Sequence, residues 1–202
     1  VQAAASDGRD PVAAVSAATG AGTVVRGAFY EVGGRLQFRA EVVDARSGVI
    51  LSAPDPVSAH RDSSQVAIGR LRDRIGGSLA VATDSRLAEV PGLAEHPPTF
   101  DAYQAFDRGL EHYLQQDYGE AAADFLQAWD RDTTFATALV YAASTLLNTG
   151  RPETADSLVT LLAGKRDALS ALDNYRWEHL RAYLDGDGER ELRALRRAFE
   201  LG

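Results

Sequence analysis

The sequence predicts a small α+β module followed by an all-α region within its 202 residues. Three observations lead to this fold class. Residues 23–51 alternate apolar and polar side chains between glycine turns, as strands with one buried face do. Residues 62–79 and the chain after residue 102 carry apolar side chains at helical spacing. From residue 116 onward a motif recurs after 34 residues, which is typical of stacked helical hairpins. We therefore expect a helix–β-meander–helix module in 1–90, a Pro-rich linker in 91–98 and about three hairpins of an α-solenoid in 99–202.

The first elements of the module follow from its turn residues. Asp10 before Pro11 is a typical helix start, because the Asp side chain accepts from free N–H groups and proline suits the first helical position. Residues 23–32 are rich in β-branched and aromatic side chains and predict a strand. Gly33-Gly34 supplies the positive φ angles of a two-residue hairpin, so the chain returns as a second strand with alternating faces.

The rest of the module is predicted from breakers and caps. Residues 49–51 follow a turn and predict a third strand, which Pro54 and Pro56 are expected to stop. Asp62, with Gln65 three residues later, has the spacing of a helix capping box. The apolar stripe of the helix that follows is expected to cover the apolar face of the sheet.

The helical half contains a repeat. Residues 116–121 (Gln-Asp-Tyr-Gly-Glu-Ala) correspond to residues 150–155 (Gly-Arg-Pro-Glu-Thr-Ala), and a looser copy begins at Gly186. Small residues at Gly109, Ala121 and Ala128 allow paired helices to approach closely, with Phe125 filling the space between them. Gly150 and Gly186 are expected to end the first helices of their hairpins in a left-handed conformation.

On these positions the chain resembles the tetratricopeptide repeat (TPR) family, well in the first hairpin, moderately in the second and weakly in the third. The resemblance implies a concave groove lined by the first helix of each hairpin, where a partner peptide lies. Candidate partner-binding residues by this register are Tyr103, Phe106, Leu110, Tyr113, Val140, Leu147, Arg176 and Tyr183. Ser144 and Leu180 are expected on the same face. Phe106 and Leu110 occupy positions where family members that grip a C-terminal carboxylate carry polar residues, so that specificity is not expected.

The N-terminal half resembles part of a TolB amino-terminal-like module. The strand with an internal glycine at Gly27, the hairpin, and the turn containing Asp44, Ser47 and Gly48 carry this resemblance. The opening strand and helix of that module are missing, so we expect the module to be incomplete. Such modules joined to TPR hairpins resemble regulatory regions of bacterial membrane-anchored Ser/Thr kinases and adenylate cyclases. The resemblance implies a regulatory protein, extracytoplasmic or alternatively cytoplasmic.

Composition and motifs argue against several functions. The net charge of −8 and the lack of a basic cluster make nucleic acid an unexpected partner. No apolar run reaches the ~20 residues that cross a membrane as a helix. The chain has no Cys, its four His residues are not at metal-binding spacings, and no nucleophile, kinase or phosphate-loop motif is present. We therefore expect neither enzymatic activity, nor a cofactor, nor a metal.

Three functions remain open at this point. The first is a non-catalytic, regulatory segment of a larger bacterial signalling protein that binds a protein or peptide in the TPR groove. The second is a sensor of a small molecule or envelope component, with a pocket between the α/β module and the first hairpin. The third is a self-assembling scaffold. Leu195, Phe199 and Leu201 would leave an apolar stripe open at the C-terminal edge of the stack.

Overall fold

The computed structural model of the protein describes residues 10–84, Leu93 and residues 97–201. In this part of the chain the helices and strands are α1 (Pro11–Thr19), β1 (Thr23–Val32), β2 (Arg35–Asp44), β3 (Ile50–Ser52), β4 (Val57–His60), α2 (Ser64–Thr83), α3 (Phe100–Leu114), α4 (Tyr118–Arg131), α5 (Ala136–Asn148), α6 (Pro152–Ala163), α7 (Ala171–Asp185) and α8 (Gly188–Leu201). Helices α3 to α8 form an array of helical hairpins. The predicted fold class, a helix with a small antiparallel sheet followed by TPR-like hairpins, is therefore confirmed. Most of the predicted linker, residues 91, 92 and 94–96, lies outside the described residues.

Strands β1 and β2 form a long antiparallel hairpin. They pair from Thr23 opposite Asp44 to Val32 opposite Arg35, and Gly33 and Gly34 turn the chain with φ angles of 57° and 75°. The two faces of this hairpin differ. Helix α1 packs by Val12 on one face, and helix α2 packs against β2 on the opposite face.

The second edge of β2 pairs with two short strands. β3 pairs with β2 at Val42, and β4 pairs with residues 35–38 of β2. The residues between β3 and β4 therefore break the pairing along this edge, and it resumes at β4. The prediction that Pro54 and Pro56 stop the third strand is confirmed, because β3 ends at Ser52; the fourth strand, β4, was not predicted. Each proline lacks an N–H group, so pairing lapses there and resumes at Val57, where the chain can donate again.

The turn after β2 is built around Asp44. Its Oδ1 atom accepts from the main-chain N–H of Ser47 at 2.7 Å, from the Ser47 hydroxyl at 2.8 Å and from the N–H of Arg46 at 3.0 Å. The hydrogen bonds from Ser47, the backbone one first, hold the pKa of Asp44 below its ordinary value. Gly48 completes the turn with a φ angle of 71°. The sequence motif that predicted a turn here is thus explained by its hydrogen bonds.

Helix α2 packs on the sheet and on the helical array. It begins at Ser64, after a short 3₁₀ turn, and not at the predicted Asp62 cap. On the sheet side, the Ser78 hydroxyl lies 3.1 Å from that of Ser52 in β3. On the other side, Val81 joins the buried cluster formed by α3, α4 and α5. A β-carbon on Gly77 would overlap the carbonyl oxygen of Pro98, so only glycine fits this approach.

The first two hairpins share an aromatic core. Phe106 of α3 is fully buried, with ring centroids 5.3 Å from Phe125 and 4.9 Å from Phe135. A β-carbon on Gly109 would lie 2.6 Å from the Phe125 ring, which explains why a small residue stands there. Burying one phenylalanine side chain contributes roughly 1.5–3 kcal/mol, so this cluster is a large source of stability for the array.

The third hairpin is joined to the second by polar contacts. The indole Nε1 of Trp177 in α7 donates to the carbonyl oxygen of Val159 in α6 at 2.8 Å. Gly186 ends α7 with a φ angle of 72°, as its sequence predicts. The last helix, α8, leaves Leu192, Leu195 and Phe199 exposed.

Candidate partner-binding groove

The first helices of the three hairpins, α3, α5 and α7, line a common cavity of about 330 Å³, which we call the groove pocket. Its lining residues are Tyr113 from α3, Val140, Tyr141 and Ser144 from α5, and Arg176, His179 and Leu180 from α7. The lining combines aromatic and aliphatic surface with a guanidinium, two phenols, a hydroxyl and an imidazole. It contains no carboxylate.

The guanidinium of Arg176 is held in place by a buried carboxylate. Asp173 is fully buried, and its Oδ1 atom accepts from Nη1 of Arg176 at 3.0 Å. Its Oδ2 atom accepts from the hydroxyl of Thr137 in α5 at 2.7 Å. A buried carboxylate is stable only when it is paired and hydrogen-bonded. The network therefore links α5 to α7 and fixes the direction of the Arg176 side chain.

Tyr141 connects this network to the aromatic core. Its hydroxyl oxygen accepts from Nη1 of Arg176 at 3.2 Å, and its ring packs 5.1 Å from Phe106 and 5.4 Å from Phe125. Burial raises the pKa of Tyr141, and the neighbouring Arg176 opposes part of this effect. The phenol is accordingly neutral near pH 7 and can donate a hydrogen bond to a bound group.

His179 occupies the place in the third hairpin where the first hairpin has Gly109. Its Nδ1 atom lies 3.6 Å from Oε1 of Glu191 in α8, beyond hydrogen-bonding distance, and it has no hydrogen-bond partner among the residues that the structure describes. The third hairpin thus places a polar pair between its helices where the first places small residues.

The structure brings some of the predicted groove residues together. Tyr113, Val140 and Arg176, with the expected Ser144 and Leu180, line the same pocket, although Val140 itself is 1% exposed. Tyr141 and His179 line it as well but were not predicted. Tyr141 follows Val140 directly, and the repeat register alone does not show that both face the cavity.

Other predicted residues lie apart from the pocket. The prediction for Phe106 is wrong, because this side chain has no exposed surface and belongs to the core between α3, α4 and α5. Tyr103 donates to Asp84 at the α2 end of the array, with an O–O distance of 3.0 Å. Leu110 and Leu147 are half-buried against the core, and Tyr183 is 53% exposed on α7.

The side chains of the groove pocket can form hydrogen bonds with a partner and pack against it. Within residues 10–84, 93 and 97–201, no group of three or more His, Cys, Asp or Glu side chains could hold a metal ion. His112, for example, contacts Asp124, with Nδ1 and Oδ2 2.8 Å apart. None of the helices in the described part of the chain is both long and apolar enough to cross a membrane.

Comparisons with known proteins give few matches. No family model matches the chain, and no curated protein matches it. Among solved structures, it is similar to the first TPR of Spaghetti (RPAP3) bound to the HSP90 peptide SRMEEVD. The identity is 20%, the match covers 50% of this chain and 79% of that one, and the TM-score is 0.40.

Proposed function

We propose that the chain is a non-catalytic, regulatory module that binds a protein or peptide along the face formed by α3, α5 and α7. The observation that carries this proposal is the groove pocket, to which the first helix of every hairpin contributes. Its half-exposed Arg176 is fixed by the buried Asp173, so little side-chain entropy is lost when it contacts a ligand. Arginine and tyrosine are the residue types that dominate binding energy at protein interfaces.

The biological setting belongs to the same proposal. The TolB-like turn of the module and the hairpin array together suggest a segment of a larger bacterial signalling protein. Helix α2 contacts both the sheet and the helical array, so it would transmit a structural change from the groove pocket to the α/β module on partner binding. Tyr103, Leu110, Leu147 and Tyr183 remain proposed contacts of a longer partner, beyond the pocket itself.

A blocking substitution tests the groove. Ser144→Arg places a long side chain in the pocket, which Arg176 also lines, without replacing any residue of the Asp173 network. Leu161→Arg places the same side chain on an exposed position of α6 as the matched control. A displayed random-peptide library would be selected on the wild-type chain. We expect selected peptides to bind the wild type and Leu161→Arg and to lose at least about tenfold in affinity for Ser144→Arg. Equal binding to all three proteins would contradict the proposal.

A second candidate function is sensing of a small molecule. A cavity of about 450 Å³ lies between the loop after β3, helix α2 and the loops of the hairpins. Its lining includes Asp55, Arg74, Thr134 and Asp167. A thermal-shift screen tests this candidate, since a ligand at about one hundred times its Kd adds about 2.7 kcal/mol of stability. An Arg74→Ala variant should lose any shift that arises in this cavity, whereas Ser144→Arg should keep it.

A further inference from the structure

In the part of the chain that the structure describes, strand β1 lies at an edge of the sheet. Among the described residues it pairs with β2 only, along all of Thr23–Val32. An edge strand presents main-chain N–H and C=O groups that attract another strand, and proteins usually shorten, bend or cover such an edge. β1 is ten residues long and carries no proline. It is therefore well suited to accept a further strand.

The two faces beside this edge have different chemistry. On the side of the sheet where α2 packs against β2 and β4, Val25 and Phe29 of β1 are 42% and 68% exposed and present apolar surface. On the opposite face, a cavity of about 620 Å³ lies between α1 and the hairpin. Its wall consists of Val12 and Val15, and its floor includes Arg26.

The α1 face of the sheet is basic in a chain with a net charge of −8. In the β1–β2 register it carries Arg26, Arg35 and Arg39 against the single Glu41, three positive charges less one negative, or +2. Glu41 is paired to Arg26 at 2.6 Å, and Arg39 lies over the ring of Tyr30, 6.0 Å from its centroid. An added strand would meet excess positive charge on this face. On the other face it would meet Val25 and Phe29, with Glu31 near the end of the strand.

We propose that β1 binds an extended segment of a partner polypeptide in which acidic and apolar residues alternate. Main-chain hydrogen bonds to the free edge would supply affinity, and the alternation would supply specificity, as in other cases of strand addition. The acidic side chains would lie beside Arg26 of β1, with Arg39 one strand further in on β2, and the apolar ones would lie beside Val25 and Phe29. A second copy of β1 fits less well, because its own α1 face places another Arg26 next to these arginines.

The test uses the whole chain and a short peptide that alternates Glu and Val and is long enough to span β1. One control peptide replaces Glu with Lys, and another carries N-methyl groups on one edge of its main chain. Binding is measured by calorimetry, and hydrogen exchange of the β1 amides is measured by NMR. We expect binding of the Glu/Val peptide, slower exchange along β1, and loss of binding with both control peptides.

Variants of the chain separate charge from folding. We expect Arg26→Glu combined with Arg39→Glu to weaken the Glu/Val peptide by at least about fivefold. The same charge change at the exposed Arg151 and Arg196 should leave binding unchanged. Circular dichroism checks that both double variants are folded. The proposal is overturned if the Lys/Val or N-methylated peptide binds equally well, if no peptide binds, or if β1 is protected by dimerisation of the chain alone. Ser144→Arg should not affect this binding, so the outcome is independent of the groove proposal.

Discussion

The ion pair of Asp173 and Arg176 gives the most specific stability prediction. Arg176→Met keeps the length of the aliphatic side chain and removes the guanidinium, which leaves Asp173 buried with Thr137 as its remaining side-chain partner. Removing one partner of a buried ion pair costs about 3–5 kcal/mol. The side chain of Arg176 is 35% exposed, so water already screens part of the interaction. Asp173 also lies in the first turn of α7, where the helix dipole favours a negative charge.

We therefore expect Arg176→Met to lower the free energy of unfolding by about 2–3 kcal/mol, or about 30- to 160-fold in the folding equilibrium constant. Urea denaturation followed by circular dichroism measures this value. The double variant Asp173→Leu, Arg176→Met removes both charges and should recover most of the loss, because no unpaired carboxylate remains. A loss below about 1 kcal/mol for Arg176→Met, or a double variant that is less stable than the single one, would refute the reasoning.

Three further predictions concern the core, the buried phenol and the last helix. Gly109→Ala places a methyl group 2.6 Å from the Phe125 ring and should lower the free energy of unfolding by about 1–3 kcal/mol. Urea denaturation measures this, and an unchanged denaturation midpoint would mean that the ring moves aside without cost. Because the pKa of Tyr141 is raised above its ordinary 10.0, the neutral phenol contributes stability that is present below about pH 10 and lost as the pH rises through the folded pKa. The Tyr141→Phe variant should therefore lose less stability above pH 10 than the wild type. Identical plots of the free energy of unfolding against pH for the two proteins would contradict this. If the 88% exposed Phe199 drives self-association, Phe199→Asp should lower the average mass in concentration-dependent light scattering, and a wild type that is monomeric at all concentrations would exclude the scaffold function.

The sequence predicted the elements whose signals are local. Gly33-Gly34 predicted the hairpin because its positive φ angles fit a two-residue turn, and the 34-residue period predicted the helical hairpins. Strand β4 was missed because prolines usually end a strand, and nothing local shows that β2 offers a second pairing site beyond them. The sequence of one strand does not show which distant strand it pairs with.

The groove was predicted in outline and not in detail. Repeat register placed Tyr113, Val140 and Arg176 on one face, and they line the same pocket. Register could not show that Phe106 is buried, because the depth of a side chain depends on the neighbouring helices that cover it. Repeat register also could not predict the hydrogen bond between Thr137 and Asp173. The two residues are 36 positions apart, and neither is unusual in its own helix.

The contact between Gly77 and Pro98 bears on how the protein unfolds. Ser78 of helix α2 contacts Ser52 of the sheet, and Val81 of the same helix belongs to the buried core of the helical array. If either half unfolds, the other loses a packing surface, so the two halves share part of their stabilisation free energy. We expect heat to unfold them in a single cooperative transition, with far-UV and near-UV signals changing together. A fragment that begins at residue 97 should be less stable than the same hairpins in the whole chain.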